Sequence, residues 1–351
     1  MKIILLFPEV YTLNKTFSSA FEQLGHKVKS ICYRDYFKHW RNRLIEKTGG
    51  LPNRFIKHWQ KPYLKDINSN YIKTIIAEKP DLVIVYNDQL LLPETAKEIK
   101  KTCPLFNFLG DNPFFIERRP FNIATMLESD HVFSPDSFWY EQLKLIGVKN
   151  ISLLYVGSDK SLNYSIKPNE KEYEKYKSDL LMIGRIYPDS WGYKRALFYS
   201  KFANMDIKIY GRGWENWFNY FPELEKKYLS LNKPLTFEMV NMLSNCSKIY
   251  PVDANPGLLN GIHIRIFDCI GSGILPLVEY RKDLDIVFKD VKIPIINNYN
   301  EAADKAKYFL ENENERIEII KSLQKFVYTN FTPIIAAEKI IEVYNNLKKG
   351  K

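Results

Sequence analysis

The hydrophobic and polar positions of the chain fall into two successive blocks of alternation. Short continuous apolar runs bounded by turn residues predict strands buried on both faces, and the amphipathic stretches between them predict helices. In the first block Lys2–Phe7 reads as a strand, Thr16–Leu24 as a helix stopped by Gly25, and His26–Cys32 as a second strand. Residues 34–62 are basic and aromatic, carry Gly49, Gly50 and Pro52, and read as an insertion or a loop with short helices. The alternation resumes with a helix over Tyr71–Glu78, a strand at Leu82–Tyr86 and a helix at Pro93–Thr102, where Pro93 suits the first helical position. Strands at Leu105–Leu109, His131–Ser134 and Ile151–Tyr155 follow, with a helix at Ser137–Ile146.

Residues 157–178 are polar and charged and predict a crossing between domains. The second block then begins. Asp179–Gly184, Asp206–Tyr210 and Lys248–Val252 read as strands. Trp191–Lys201, Pro222–Ser230 and Thr236–Asn245 read as helices, and a helical tail runs through Glu301–Leu310, Glu313–Thr329 and Pro333–Lys348. Strand and helix in regular alternation predict an α/β protein of two Rossmann-like halves facing a cleft, each a parallel sheet with helices on both faces. The expected boundaries are residues 1–156, a linker at 157–178, a second half at 179–330, and a C-terminal helix at 331–351. In such sheets ligands sit beyond the carboxyl ends of the strands, so the loops that follow strands are the ones to inspect.

Composition narrows this picture. A length of 351 residues suits two ordinary domains, and an apolar fraction of 45% is that of a folded chain. No segment approaches the ~18 uninterrupted apolar residues of a spanning helix. The opening MKIILLFPEV is interrupted by Pro8 and Glu9 and reads as a strand rather than a signal peptide. Cys32, Cys103, Cys246 and Cys269 lie far apart without metal-binding spacing, which predicts four reduced thiols, a cytoplasmic location and no role for the Asn14 sequon. The net charge of +10 is spread along the chain, with small clusters at Arg41/Arg43, Arg118/Arg119 and Lys348/Lys349. It predicts a solvated positive surface first, and peripheral contact with acidic membrane lipid second. No nucleic-acid-binding signature accompanies it.

The candidate chemistry lies mainly in the second block. From Asn255 to Glu279 the chain runs NPGLLNGIHIRIFDCIGSGILPLVE, a glycine-containing loop that feeds a short helix and then a buried strand. A helix N-terminus favours phosphate, and an acidic residue one turn inside can hold sugar hydroxyls. Asn255, Gly257, Asn260 and Gly261 make the permissive loop. His263 precedes the helix. Arg265 and Asp268, three apart, share a helix face and have the option of pairing with each other. Gly271 and Gly273 suit close helix–strand packing. Upstream, Gly184 and Arg185 end a strand, and Lys194 and Arg195 follow on the next helix, a spacing suited to a diphosphate clamp. Only one of those two helix neighbours is expected to face the site. Gly211, Arg212 and Gly213 make a tight loop with a projecting Arg. Trp214 beside them is more readily a core residue than a base-stacking one. In the first block Asp111, at a strand end inside Gly110-Asp111-Asn112-Pro113, is a candidate general base, weighed evenly against a plain turn residue. Asp88 and Glu9 are lesser candidates of the same kind. Asp283 and Asp285 have Asp-x-Asp spacing but sit in a charged loop, and read as solvated. No metal constellation is present.

The run HIRIFDCIGSGILPLVEYRKDL resembles the C-terminal signature of the CgeB/YkvP-like group of spore-protein-type glycosyltransferases, which belong with the family 1 and family 4 type enzymes of GT-B fold. The group's pattern is roughly Asn-x-Arg-x-Phe-Glu, a short helix, then Gly and a strand. Arg265, Phe267 and Gly273 match it, while His263 stands for Asn and Asp268 for Glu. Pro80–Val85, Pro93–Thr95, Asp130–Phe133, Gly147–Asp159 and Gly184–Gly213 resemble further group motifs in order, so that the likeness spans about 75–330. The resemblance implies transfer of a sugar from a nucleotide-diphosphate donor to a glycan, lipid-linked or protein acceptor. It implies an N-terminal acceptor half, a C-terminal donor half, and a last helix crossing back to the first. Asp268 would meet ribose hydroxyls, with Arg185 and Arg265 near the diphosphate, neutralised by Arg and Lys without a metal or other cofactor. The shorter Asp268 and the exchanged His263 motivate a second possibility, a non-catalytic protein of the same shape that binds a nucleotide or glycan. A dinucleotide-dependent dehydrogenase is disfavoured, because Phe7-Pro8-Glu9 follows the first strand where a GxGxxG would stand.

Overall fold

The computed structural model describes residues 1–7, 12–36, 53–87, 90–114, 121–231 and 233–350. Glu9, Arg41, Arg43, Gly49, Gly50, Pro52, Asp88, Arg118 and Arg119, all singled out above, lie outside the described residues. The chain divides into two compact units. One is Met1–Tyr155 together with Pro333–Lys351, and the other is Val156–Thr332.

The first unit holds a six-stranded sheet in the order β2-β1-β3-β4-β5-β6. Its strands are Lys2–Leu6 (β1), Lys27–Ile31 (β2), Leu82–Tyr86 (β3), Leu105–Phe108 (β4), His131–Ser134 (β5) and Ile151–Leu153 (β6), all parallel. β3 (LVIVY) is buried along its whole length, as a central parallel strand must be. β2 (KVKSI) is an edge strand, and its two lysines are exposed there. The flanking helices are Leu13–Gln23 (α1), Asn53–Glu78 (α2), Pro93–Lys100 (α3), Asn122–Glu128 (α4), Ser137–Leu145 (α5) and, from the chain end, Pro333–Lys349, which packs on α1.

α2 begins 18 residues earlier than the helix predicted from Tyr71, and it contains Pro62. Pro62 is a helix-breaking residue and Lys65–Asn70 is mostly polar. What holds the helix is a stripe at four-residue spacing. Tyr63, Ile67, Tyr71 and Ile75 are all buried, against Ile4, Leu6, Val83 and Val85.

The second unit repeats the architecture with the order β12-β11-β10-β7-β8-β9, again all parallel. The strands are Ser178–Ile183 (β7), Ile207–Tyr210 (β8), Tyr228–Leu229 (β9), Ser247–Val252 (β10), Leu275–Glu279 (β11) and Ile295–Ile296 (β12). The helix predicted at Pro222–Ser230 is a 3-10 turn at Pro222–Lys227 running into β9. Residues 157–178 are folded onto this unit. The Tyr164 and Ile166 amides donate to Asn241 and Asn245, and the Ser158 amide donates to the Phe331 carbonyl. The stretch ends in a helix, Glu170–Tyr176 (α6), started by a capping box of Asn169 and Glu172. Its polar composition hid that box.

Further along come Ser190–Ser200 (α7), Phe237–Asn245 (α8), Arg265–Ser272 (α9), Leu284–Val287 (α10), Ala302–Glu311 (α11) and Glu313–Asn330 (α12). α9 buries Ile266, Phe267, Cys269 and Ile270 and ends on Gly273 at φ +81°. A Cβ on Gly271 would lie 2.1 Å from Ser158 Oγ, so glycine is what lets residues 157–165 approach the helix.

Candidate functional site

Strand order identifies where each sheet opens. The chain enters the second sheet in the middle, at β7, builds outward through β8 and β9, then returns to the other side of β7 with β10. The crevice beyond the carboxyl ends of β7 and β10 is therefore the topological switch point, where doubly wound sheets hold ligands. Both strands end on a residue of chemical interest. Gly184 and Arg185 follow β7, and Asp253 follows β10. The Tyr250 hydroxyl straps the two strand ends together, donating to the Ile183 carbonyl at 2.8 Å and accepting from the Ile183 amide at 2.7 Å.

Asp253 is fully buried between two arginines. Arg195 Nε donates to its Oδ2 at 2.8 Å, and Arg195 Nη1 reaches back to the Arg185 carbonyl at 2.6 Å. Arg265 Nη1 lies 3.8 Å from Oδ1, with its guanidinium over the Tyr250 ring. Burial alone would raise the Asp253 pKa, but the two guanidiniums outweigh it and hold the carboxyl below the usual range. Beside this pair, Lys194 Nζ bonds Glu279 Oε2 at 2.6 Å and the Ala254 carbonyl at 3.1 Å. Glu279 Oε2 also accepts from the Ala254 amide, and Arg281 Nη1 stands 3.7 Å from Oε1. Lys194 and Arg195 thus both turn to the strand ends, where one was expected. Adjacent on α7, the half-buried Lys and the buried Arg diverge by about 100° around the helix axis, and each finds its own carboxylate.

His263 Nδ1 accepts from the Arg265 amide at 3.0 Å, which leaves the ring hydrogen on Nε2. Burial, and then the Arg265 charge, lower its pKa to about 3. The next amides are also spent locally, Ile266 on the His263 carbonyl and Phe267 on Ile264. This corrects the expectation of free first-turn amides at α9. Anion attraction here comes from side-chain cations. Asp253, Ala254, Gly261, His263, Glu279 and Arg281 line a small recess at these strand ends.

Asp268 does not pair with Arg265. Its Oδ1 accepts from Asn163 Nδ2 at 2.9 Å, on the side of α9 covered by residues 157–165. Burial raises its pKa to about 7, with Asp159 adding to the rise and Arg265 opposing it. Arg185 and Arg212 are exposed at the ends of β7 and β8, and Arg185 lies over the Tyr187 ring. Gly211 at φ +145° has no room for a Cβ, which would sit 2.0 Å from the Gly184 carbonyl. Trp214 is a core residue, fully buried, its Nε1 donating to that same carbonyl. The Asn260 carbonyl accepts from the Asp283 amide. Asp283 is buried and Asp285 exposed, so only one carboxylate of that Asp-x-Asp is solvated.

In the first unit the switch point lies between β1 and β3, and Asp111 stands one strand further on, after β4. Asn87, buried and at φ +51°, organises the turn. Its Oδ1 accepts from the Gly110 and Asp111 amides at 2.7 and 3.1 Å, and its Nδ2 donates to Asp111 Oδ2 at 2.8 Å.

Sequence reading missed Asp253, Glu279, Arg281 and Asn163. Asp253 had a signal, since it ends an apolar strand as Asp111 does. Asn163 and Glu279 join the site only through packing. Among the described residues no group of three His, Cys, Asp or Glu is placed to hold a metal, and no helix is long and apolar enough to cross a membrane.

Comparison with known proteins adds to this geometry. Residues 194–342 match a family model described as glycosyl transferase-like. No curated protein matches the sequence significantly. Among solved structures, the chain is similar to a sucrose-phosphate synthase from Thermosynechococcus elongatus, at TM-score 0.70 and 10% identity over 100% of both chains. It is similar to HepE of Anabaena, solved with UDP-glucose, at TM-score 0.66 and 12% identity over 99% of this chain and 100% of that one. An E. coli trehalose-6-phosphate protein solved with UDP-2-fluoro glucose aligns at TM-score 0.67 and 10% identity over 98% of this chain and 99% of that one. The chain has the two-domain GT-B fold, and its residues 194–342 are similar to the glycosyl transferase-like model.

Proposed function

We propose that the chain is a metal-independent glycosyltransferase of the CgeB-like group, moving a sugar from a nucleoside-diphosphate sugar to a glycan, lipid-linked or protein acceptor. The observation that carries this is the charge at the second switch point. Lys194, Arg195, Arg265 and Arg281 face Asp253 and Glu279, so four cations against two carboxylates leave two positive charges in excess. A sugar-linked diphosphate carries about two negative charges, and arginine forks suit its oxygens. Arg185 and Arg212 extend the positive rim. The structural relatives solved with UDP-glucose and UDP-2-fluoro glucose support a donor of that chemical class.

In this reading Asp268 takes ribose hydroxyls, Asn260, Gly261 and His263 lie along the donor, and Gly184 lets Arg265 close on the diphosphate. Asp111 of the first unit takes the acceptor hydroxyl's proton in an inverting transfer. The enzyme works in the cytoplasm, its positive charge favouring the inner face of the membrane, where lipid-linked acceptors lie.

Calorimetry with UDP and other nucleoside diphosphates tests the donor site. Arg185→Ala and Asp268→Ala should each weaken binding about 10-fold or more while the fold stays intact, as hydrogen bonds to charged groups are worth ~1.5–3 kcal/mol. Unchanged affinity in both would overturn the site. Release of UDP from UDP-glucose by the purified protein separates an enzyme from a non-catalytic binder.

A further inference from the structure

The two innermost atoms of the second switch point are not bonded to each other. Asp253 Oδ1 and Arg265 Nη1 face one another at 3.8 Å, beyond hydrogen-bond reach. Both are buried, and among the described residues neither has a hydrogen-bond partner. The other halves of the same groups are fixed. Asp253 Oδ2 is held by Arg195, and Arg265 Nη2 lies against Gly184, where a Cβ would come within 3.0 Å of it. The gap is therefore set by packing on both sides.

A buried acceptor and a buried donor left unmet are each costly, more so when charged. The group that completes both must accept from Nη1 and donate to Oδ1. A hydroxyl does this with one oxygen. A phosphate oxygen accepts only and is repelled by Asp253. An apolar atom does neither. Asp253 lines the recess it shares with His263, whose Nε2 carries a hydrogen and adds a neutral donor.

We infer that Asp253, with Arg265, recognises one hydroxyl of the transferred sugar and sets donor specificity. This rests on the nucleotide-sugar reading above and names a specificity residue within it. The same carboxylate keeps phosphate oxygens off Arg265 Nη1 and leaves the diphosphate to the other cations of the switch point.

The test is calorimetry of the whole chain with UDP, UDP-glucose and the four UDP-glucose analogues that lack one hydroxyl at C2, C3, C4 or C6. The wild type should bind UDP-glucose more tightly than UDP and lose about 10–100-fold for one analogue, because a site built to bond a hydroxyl rejects the compound lacking it. Asp253→Asn, which takes one carboxylate out of the charge balance at the switch point, should bind UDP no more weakly than the wild type does, yet treat that analogue and UDP-glucose alike within about threefold. Near-equal wild-type affinity for all four analogues means that solvent fills the gap, and overturns the inference even if the variant fails to fold. Equal weakening of UDP and UDP-glucose in Asp253→Asn overturns it too, by assigning Asp253 to the phosphate site. Absence of binding to the wild type by UDP and by every other nucleoside diphosphate rejects the nucleotide-sugar reading itself.

Discussion

The two units share an architecture and differ at their switch points. In the second unit the strand ends carry Arg195, Asp253, Arg265, Lys194 and Glu279 within one web of ion pairs. In the first, the ends of β1, β3 and β4 close on rings, with ring centroids of Phe7 and Tyr86 5.3 Å apart and of Tyr86 and Phe108 5.5 Å apart, and Asp111 stands in the turn beyond β4. The same topology thus presents a charged crevice in one place and an aromatic floor in the other. The sheet specifies where a ligand can sit, and the residues at the strand ends decide which ligand. Under the proposed function, an anionic donor belongs with the guanidiniums, and a neutral, hydroxyl-bearing acceptor with the rings and the carboxylate.

The largest effect that can break this division is on turnover. Asp111→Asn should lower UDP release from UDP-glucose by ~10²–10⁴-fold, the usual contribution of a general base, with UDP affinity unchanged. Turnover within twofold of wild type would remove the first unit's carboxylate from the chemistry and leave the contrast purely structural.

Stability separates the two regions next. Arg195→Ala strips the hydrogen-bonded partner from a fully buried carboxylate, and should lower the unfolding free energy in urea by ~3–5 kcal/mol. Asn87→Ala leaves two backbone amides of the Asp111 turn unmet, and should cost ~1–3 kcal/mol. If the order reverses, the charged crevice is not the more tightly built of the two. In that case its ion pairs, rather than holding the strand ends, merely lie on them.

Much of this was legible from residues alone. Continuous apolar runs such as LVIVY have few alternatives to a central parallel strand, so the α/β layout followed from pattern. The four-residue stripe of Tyr63, Ile67, Tyr71 and Ile75 was equally present, but Pro62 masked it, because helix-breaking propensity yields to tertiary burial. In the candidate site, Arg185, Lys194, Arg195 and Arg265 stood out as cations at strand and helix ends. The carboxylates that meet Arg195 and Lys194 did not, since Asp253 is 58 residues from Arg195 and Glu279 is 85 from Lys194. Ion pairs of that span are a product of sheet order, which the pattern of a single strand does not contain. The Asp268 environment was invisible for the same reason, with Asn163 lying 105 residues away.

That environment gives the finest test, a pH dependence expected at the nucleotide site proposed for the second unit. The folded pKa of Asp268 is about 7, against 3.8 for the free side chain, chiefly through burial. A raised carboxyl pKa means that folding favours the protonated form. Its contribution to stability is therefore full below about pH 3.8 and is lost as pH rises to about 7. Nucleotide binding has the opposite sign, because ribose hydroxyls donate to the ionised carboxylate. UDP affinity should rise ~10-fold from pH 6 to pH 8, as the ionised fraction grows from roughly a tenth to nine tenths. Asp268→Asn should abolish the rise. His263 does not supply it, being neutral across that range with a pKa lowered to about 3. Arg265 and Asn163, the other groups facing Asp268, do not titrate there, and Asp159 acts on it as a neighbouring negative charge. A flat wild-type profile would remove Asp268 from the nucleotide and leave its bond to Asn163 as a tie between α9 and residues 157–165.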